Sequence, residues 1–200
     1  MDQYEKGFRV IFAGLGGHGA LTFGQFLAEA AATRYKHVSL LPYYATAMRG
    51  GESESTVTAS NEEVDSPIAY EMEMAIVTSP TMFRVIERRM KPGGILLVDD
   101  SVIAEKVERE DLNVFYVPGS RIATQEIGEP LVANLVLMGA YLEATKILPF
   151  ELVQETMEKS LKGTPKERLL PINEKALHEG RRFLQNLRQS QKEQQEANPR

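Results

Sequence analysis

The chain's strongest constraint lies near its N-terminus, where a short apolar run ends in glycines and passes straight into a helical pattern. Phe8-Arg9-Val10-Ile11-Phe12-Ala13 reads as a buried strand. Gly14-Leu15-Gly16-Gly17-His18-Gly19 follows, and then Phe23, Phe26, Leu27, Ala30 and Ala31 fall on one helical face. Gly14-x-Gly16-x-x-Gly19 has the spacing of a dinucleotide-binding turn, with Gly17 as an extra glycine, and it sits between a strand and a helix as that turn requires. One glycine makes the tight turn, one lets backbone approach a phosphate, and one lets helix and strand pack closely. The helix start supplies free N–H groups and the positive end of a dipole. A tight turn that binds nothing would use the same residues. An NAD site also wants Asp or Glu about 20 residues further on, near the end of the second strand. Val38-Ser39-Leu40-Leu41-Pro42-Tyr43 has no acid there, so the loop reads as an anion site before it reads as an NAD site.

The rest of the chain alternates in the same manner. The first helix should fade near Tyr35-Lys36, and His37 to Leu41 reads as a second strand ended by Pro42. Residues 53–59 are β-prone but follow a loop rather than a helix, an exception to strict βαβ order. Met74 to Thr78 is a further strand, and Pro80 suits the first turn of a helix over 81–90, broken by Lys91-Pro92-Gly93-Gly94. Ile95 to Asp99 and Val114 to Val117 are two more strands. From about Ser120 the pattern turns helical, with a nearly all-apolar helix over 131–142 and further helices over 150–161 and 172–187. Residues 1–188 form one domain, and 189–200, rich in Gln, Glu and Lys, read as a disordered polar tail. The expected fold is α/β and Rossmann-like: an open, mostly parallel sheet with flanking helices and a helical C-terminal portion.

Ligands of open α/β sheets gather at the carboxyl ends of the strands. Two loops should leave from that edge. One is the glycine loop, in which a neutral His18 can donate or accept a hydrogen bond, or simply face solvent. The other runs from Tyr43 to Gly51, where Arg49 can pair with a carboxylate or phosphate and Gly50-Gly51 allow close approach. Asn134 is the one strongly hydrogen-bonding side chain of the apolar helix, and it must find loop backbone, a subunit interface or a ligand. Gly139 would let another helix come close. Asp99-Asp100 reads as the start of a turn or a helix cap rather than a metal site. The acid-rich stretch between Gly50 and Phe83 reads as a solvated surface.

Composition removes whole classes of function. The 200 residues include no cysteine, which excludes disulfides, cysteine-ligated zinc or iron–sulfur clusters and a thiol nucleophile. Three histidines make a His-rich metal site improbable. A formal net charge of −5 argues against a nucleic-acid partner. No run is apolar for the roughly 18–20 residues a membrane span needs, and the polar N-terminus lacks the pattern of a signal peptide. The expected location is cytoplasmic.

Several of these pieces, taken in order, resemble the gamma subunit of the 2-oxoacid:ferredoxin oxidoreductases. They are the GLGGHG loop, Met48-Arg49-Gly50-Gly51, Ser66-Pro67, Lys91-Pro92-Gly93-Gly94 followed by ILLVDDS, and Ala133-Asn134-Leu135-Val136-Leu137-Met138-Gly139. The resemblance runs from about Arg9 to about Gly180. It departs at His18, where the family usually has Gln, and at Tyr44-Ala45-Thr46-Ala47, where the family often has Tyr-Gly-Pro-Glu. The Arg-Gly-Gly form looks more like the 2-oxoglutarate or branched-chain types than the pyruvate types.

The resemblance implies coenzyme A-dependent oxidative decarboxylation of a 2-oxo acid, carried out on partner chains. Thiamine diphosphate and Mg would sit with alpha and beta subunits, iron–sulfur clusters on a ferredoxin-like subunit, and ferredoxin would accept the electrons. This chain alone would be inactive and would hold no cofactor by itself. Gly14, Gly16, Gly17, His18, Gly19, Arg49, Gly50, Gly51 and Asn134 would face coenzyme A or a partner. Two other readings stand beside it: a free-standing nucleotide-binding oxidoreductase, and a purely structural interaction subunit.

Overall fold

The computed structural model describes residues 7–44, 51–63, 66, 68 and 70–197. Its elements are β1 (Phe8–Leu15), α1 (Ala20–Ala31), β2 (His37–Tyr44), β3 (Glu52–Ser60), β4 (Met72–Val77), α2 (Pro80–Arg89), β5 (Met90–Val98) and β6 (Asn113–Tyr116). Then come α3 (Gly119–Arg121), which runs on as a π-helical turn (Ile122–Ile127), α4 (Ala133–Thr145), α5 (Phe150–Leu161) and α6 (Leu170–Ala197).

The six strands form one sheet in the order β2-β3-β1-β4-β5-β6. β1, β4, β5 and β6 are parallel neighbours. β3 is antiparallel to both β1 and β2. Five strands therefore point one way and β3 alone is reversed, which is how residues 53–59 depart from βαβ order.

β1 is apolar almost throughout because both of its faces are covered. Val10 and Phe12 share a core with Phe23 and Leu27 of α1 and with α4, α5 and α6. Ile11 and Ala13 pack in a second, smaller core with Met82, Phe83 and Ile86 of α2. A fully buried Phe or Leu contributes about 1.5–3 kcal/mol, so these positions fix the register. α4 is apolar on every side for the same reason: α1, α5, α6 and β5 surround it.

Three boundaries differ from the sequence reading. β2 runs through Pro42 to Tyr44. It is an edge strand, where a proline lacking its N–H is tolerated. Lys91 to Gly94 break α2 but are not a loop, since β5 already begins at Met90 and the β4–β5 register shifts between Met72 and Met74. Gly93 takes φ +76° in that irregular stretch. Finally, α6 continues to Ala197, into the residues read as a tail. Gln, Glu and Lys propagate a helix that is already nucleated, and Gln189 donates to Glu193 one turn on.

Candidate functional site

β1 delivers the glycine loop to the carboxyl edge of the sheet. His18 N–H donates to Leu15 O at 3.0 Å, which closes the turn. Three of its glycines have visible reasons to be glycine. A Cβ on Gly14 would lie 2.5 Å from Thr78 Oγ1, so this residue is small to admit a neighbour's hydroxyl. Gly17 takes φ +92° with nothing near its missing Cβ, so here conformation decides. Gly19 takes φ +80°, and a Cβ there would lie 2.5 Å from Asn134 Nδ2. Gly19 also caps α1, which has no side-chain cap and no acidic residue in its first turn. The first N–H groups of α1 thus have no intrahelical partner.

The second loop meets the first. Gly16 N–H donates to Gly51 O at 2.8 Å, and Leu15 pairs with Glu52 in the β1–β3 ladder. Arg49 and Gly50 lie outside the described residues, as does Pro67. Asn134 is 3% exposed and donates through Nδ2 to Gly19 O at 3.2 Å. The apolar helix's amide thus ties α4 to the glycine loop. His18 is exposed.

Two cavities flank this junction. The smaller, about 190 Å³, is bordered by His18, Thr78, Ser120, Thr124, Asn134 and Leu137. The larger, about 650 Å³, opens between α1, α5 and the start of α6, with Thr22, Gln25, Phe26, Glu29 and Lys166 among its walls. Gly17 and Asn134 border both. Thr78, directly after β4, was not singled out in the sequence. Its signal was position alone: a hydroxyl at the carboxyl end of an apolar strand.

The topology makes this edge a switch point. From β1 the chain crosses through α1 on one face of the sheet, and from β4 it crosses through α2 on the other. The crevice between the carboxyl ends of β1 and β4 is where open α/β sheets take ligands. The NAD arrangement is absent for a structural reason too: β3 separates β2 from β1. Asp99 is spent locally. It is fully buried and accepts from Ser101 N–H, Ser120 N–H and Ser120 Oγ, at 3.1, 3.0 and 2.6 Å. In the acid-rich stretch, Glu73 pairs with Lys91 at 2.9 Å and Glu54 with Arg89 at 3.5 Å, while Glu52, Glu62, Glu63 and Glu71 are exposed.

Residues 9–183 match the pyruvate ferredoxin/flavodoxin oxidoreductase family. The chain belongs to it. A relative is the 2-oxoglutarate synthase subunit KorC of Methanocaldococcus jannaschii, 32% identical over 168 residues that cover 80% of this chain and 88% of that protein. The fold is shared with the gamma subunit of a keto/oxoacid ferredoxin oxidoreductase from Geobacter sulfurreducens, with TM-score 0.76, 24% identity, and 90% and 99% of the two chains covered. It is shared as well with 2-oxoglutarate:ferredoxin oxidoreductase from Magnetococcus marinus, with TM-score 0.79 and 22% identity, where 90% of this chain covers 31% of that one.

Proposed function

We propose that this family member is the gamma subunit of a 2-oxoglutarate:ferredoxin oxidoreductase, with its glycine-loop edge turned toward partner subunits and coenzyme A. The observation that carries the reading is the similarity to the methanogen KorC subunit along 88% of that protein. The chemistry belongs to other chains. With no cysteine, this chain cannot ligate an iron–sulfur cluster through thiolates. Among the described residues no group of three or more His, Asp or Glu is arranged to hold a metal ion. On this reading thiamine diphosphate, Mg and the clusters would sit with alpha, beta and ferredoxin-like subunits, as the family resemblance implies, with ferredoxin as acceptor.

Coenzyme A suits the edge on chemical grounds. Its phosphates match an uncapped helix start, and Arg49, two residues before Gly51 in sequence, is a candidate second partner. The Magnetococcus enzyme was captured with 2-oxoglutarate, coenzyme A and succinyl-CoA bound. Tyr43 and Tyr44 end β2 at the same edge with 60% and 53% of their surfaces exposed, which fits a face that partners cover. Among the described residues no helix is long and apolar enough to cross a membrane, and this reading puts the assembly in the cytoplasm.

The deciding experiment is an anaerobic pull-down of the tagged chain from its own cells, followed by mass spectrometry. A thiamine-binding chain and a cluster-bearing chain should come along. A monodisperse chain with no partner overturns the reading. An Arg49→Glu variant should weaken assembly or raise the coenzyme A requirement, and unaltered kinetics and assembly would remove that loop from the site.

A further inference from the structure

Asn173, in the first turn of α6, is 8% exposed, yet its side-chain amide makes no hydrogen bond among the described residues. Buried amides are normally paired. This one borders the 650 Å³ groove between α1, α5 and the start of α6. Several other polar groups of the walls are engaged. Ser160 Oγ donates to Glu29, Thr164 Oγ1 donates to Leu161 O at 2.6 Å, and Glu129 accepts from Leu131 N–H at 3.2 Å. Asn173 keeps both a donor, Nδ2, and an acceptor, Oδ1.

Two further features surround that amide. The groove is apolar beneath, with Phe26, Val132, Leu135 and Leu161 all buried, and apolar at its lip, where Leu131 and Leu169 are 75% and 40% exposed. The free charges beside it are positive. Lys166 borders it, Lys162 and Arg168 flank Lys166 in the same α5–α6 connection, and all three are exposed with no ion pair among the described residues. The carboxylates that line it, Glu29 and Glu129, are the ones already engaged. At one end the groove reaches Gly17 and Gly19, so it continues the edge turned toward partner subunits.

We propose that this groove receives an extended segment of a partner chain, with apolar side chains on the floor and acidic ones against Lys162, Lys166 and Arg168. The Asn173 amide decides the conformation. A peptide group offers one N–H and one C=O, the complement of Oδ1 and Nδ2, and only an extended segment has them to spare. A helix spends its peptide groups on itself and would leave Asn173 unpaired. This inference rests on the subunit reading above, since it needs a partner.

The test uses the assembly purified anaerobically from its own cells, treated with a carbodiimide that joins an ammonium directly to a carboxylate it touches. Mass spectrometry should find Lys162 or Lys166 linked to an Asp or Glu of another kind of chain, among apolar residues. No such link in an intact assembly overturns the groove as a docking site, and the subunit reading survives. A link only to a second copy of this chain overturns it in favour of self-association. A chain that emerges without any partner overturns both.

Asn173→Leu tests the amide. It removes a group that has no partner to lose, so the Tm of the chain alone should not fall. The assembly should dissociate on dilution at about tenfold higher concentration, the effect of one lost pair of hydrogen bonds. A helical occupant would instead hold the leucine variant as tightly as wild type or more so, and that result overturns the extended segment.

Discussion

At the crossing of α4 and α6, glycine brings backbone onto backbone. A Cβ on Gly139 would collide with Leu177 O, and one on Gly180 would collide with Val136 O. At the carboxyl edge, Gly14 and Gly19 instead admit side chains, the Thr78 hydroxyl and the Asn134 amide. The first contact is closed and finished. Around it, Glu143 holds Lys146 at 2.6 Å and Arg181 at 3.4 Å, and Arg188 donates to the carbonyls of Glu143 and Ala144. The second contact leaves one polar atom free on each side chain it admits. Close approach through glycine thus serves closure in one region and access in the other, and only the residue across the gap tells which.

Substitutions at the closed side should have the largest effect. Gly139→Val or Gly180→Val meets a carbonyl that cannot swing aside, and should cost about 3 kcal/mol or more. That loss lowers Tm by roughly 6–12 °C in a chain of this size, as calorimetry would show. A shift under about 2 °C would mean that the helices separate freely and the contrast fails.

Glu143 comes next. Burial raises its pKa, but Lys146, Gln185 and Arg181 outweigh burial and hold the carboxyl below the ordinary value of 4.5. Glu87 behaves likewise: burial raises it, and the N–H groups of Arg109 and Glu108 with the Arg84 guanidinium bring it below 4.5. A carboxyl with a depressed folded pKa stabilises fully above its unfolded value and loses that contribution as pH falls toward the folded one. Stability should therefore drop as pH falls below 4.5. Glu143→Gln should cost about 1–2 kcal/mol at neutral pH, since its basic partners are partly exposed, and should blunt the acid loss. Urea melts at pH 7 and pH 3.5 would reveal an unblunted loss if Glu143 were idle.

The open side should respond least in stability. Gly19→Ala meets both a positive φ and the Asn134 amide, a side chain that can yield, for a cost of about 1–2 kcal/mol. Gly17→Ala should cost only about 1 kcal/mol, from φ alone. Because the space beside Gly17 is open, Gly17→Leu should match it in Tm. A much larger loss for leucine would show that the loop is closed after all.

The sequence revealed elements better than the relations between them. Apolar runs and helical spacing located β1, α1, α2, α4 and α5, because burial on a fixed face writes a period into the chain. The reversal of β3 was readable only as a missing helix, and its place between β2 and β1 not at all, since strand order is settled by pairing distant in sequence. Pro42 misled because its cost depends on lying in an edge or a central strand. At the site, Gly14, Gly17, Gly19 and Asn134 were legible because glycines at a strand end and a lone amide in an apolar helix are conspicuous. Thr78 was not, because a threonine ending a β-run looks like any other strand residue.

The reversed strand also bears on how the molecule is made. β1 emerges before both of its neighbours, β3 and β4, which are drawn from later chain. Until residues 52–60 have emerged, its N–H and C=O groups have no ladder to join, and one of its apolar faces waits longer still for α2. Synthesis therefore passes through an interval in which a strand with apolar residues on both faces has neither ladder nor full cover. The contacts that end this interval are long-range, which is the kind that forms slowly.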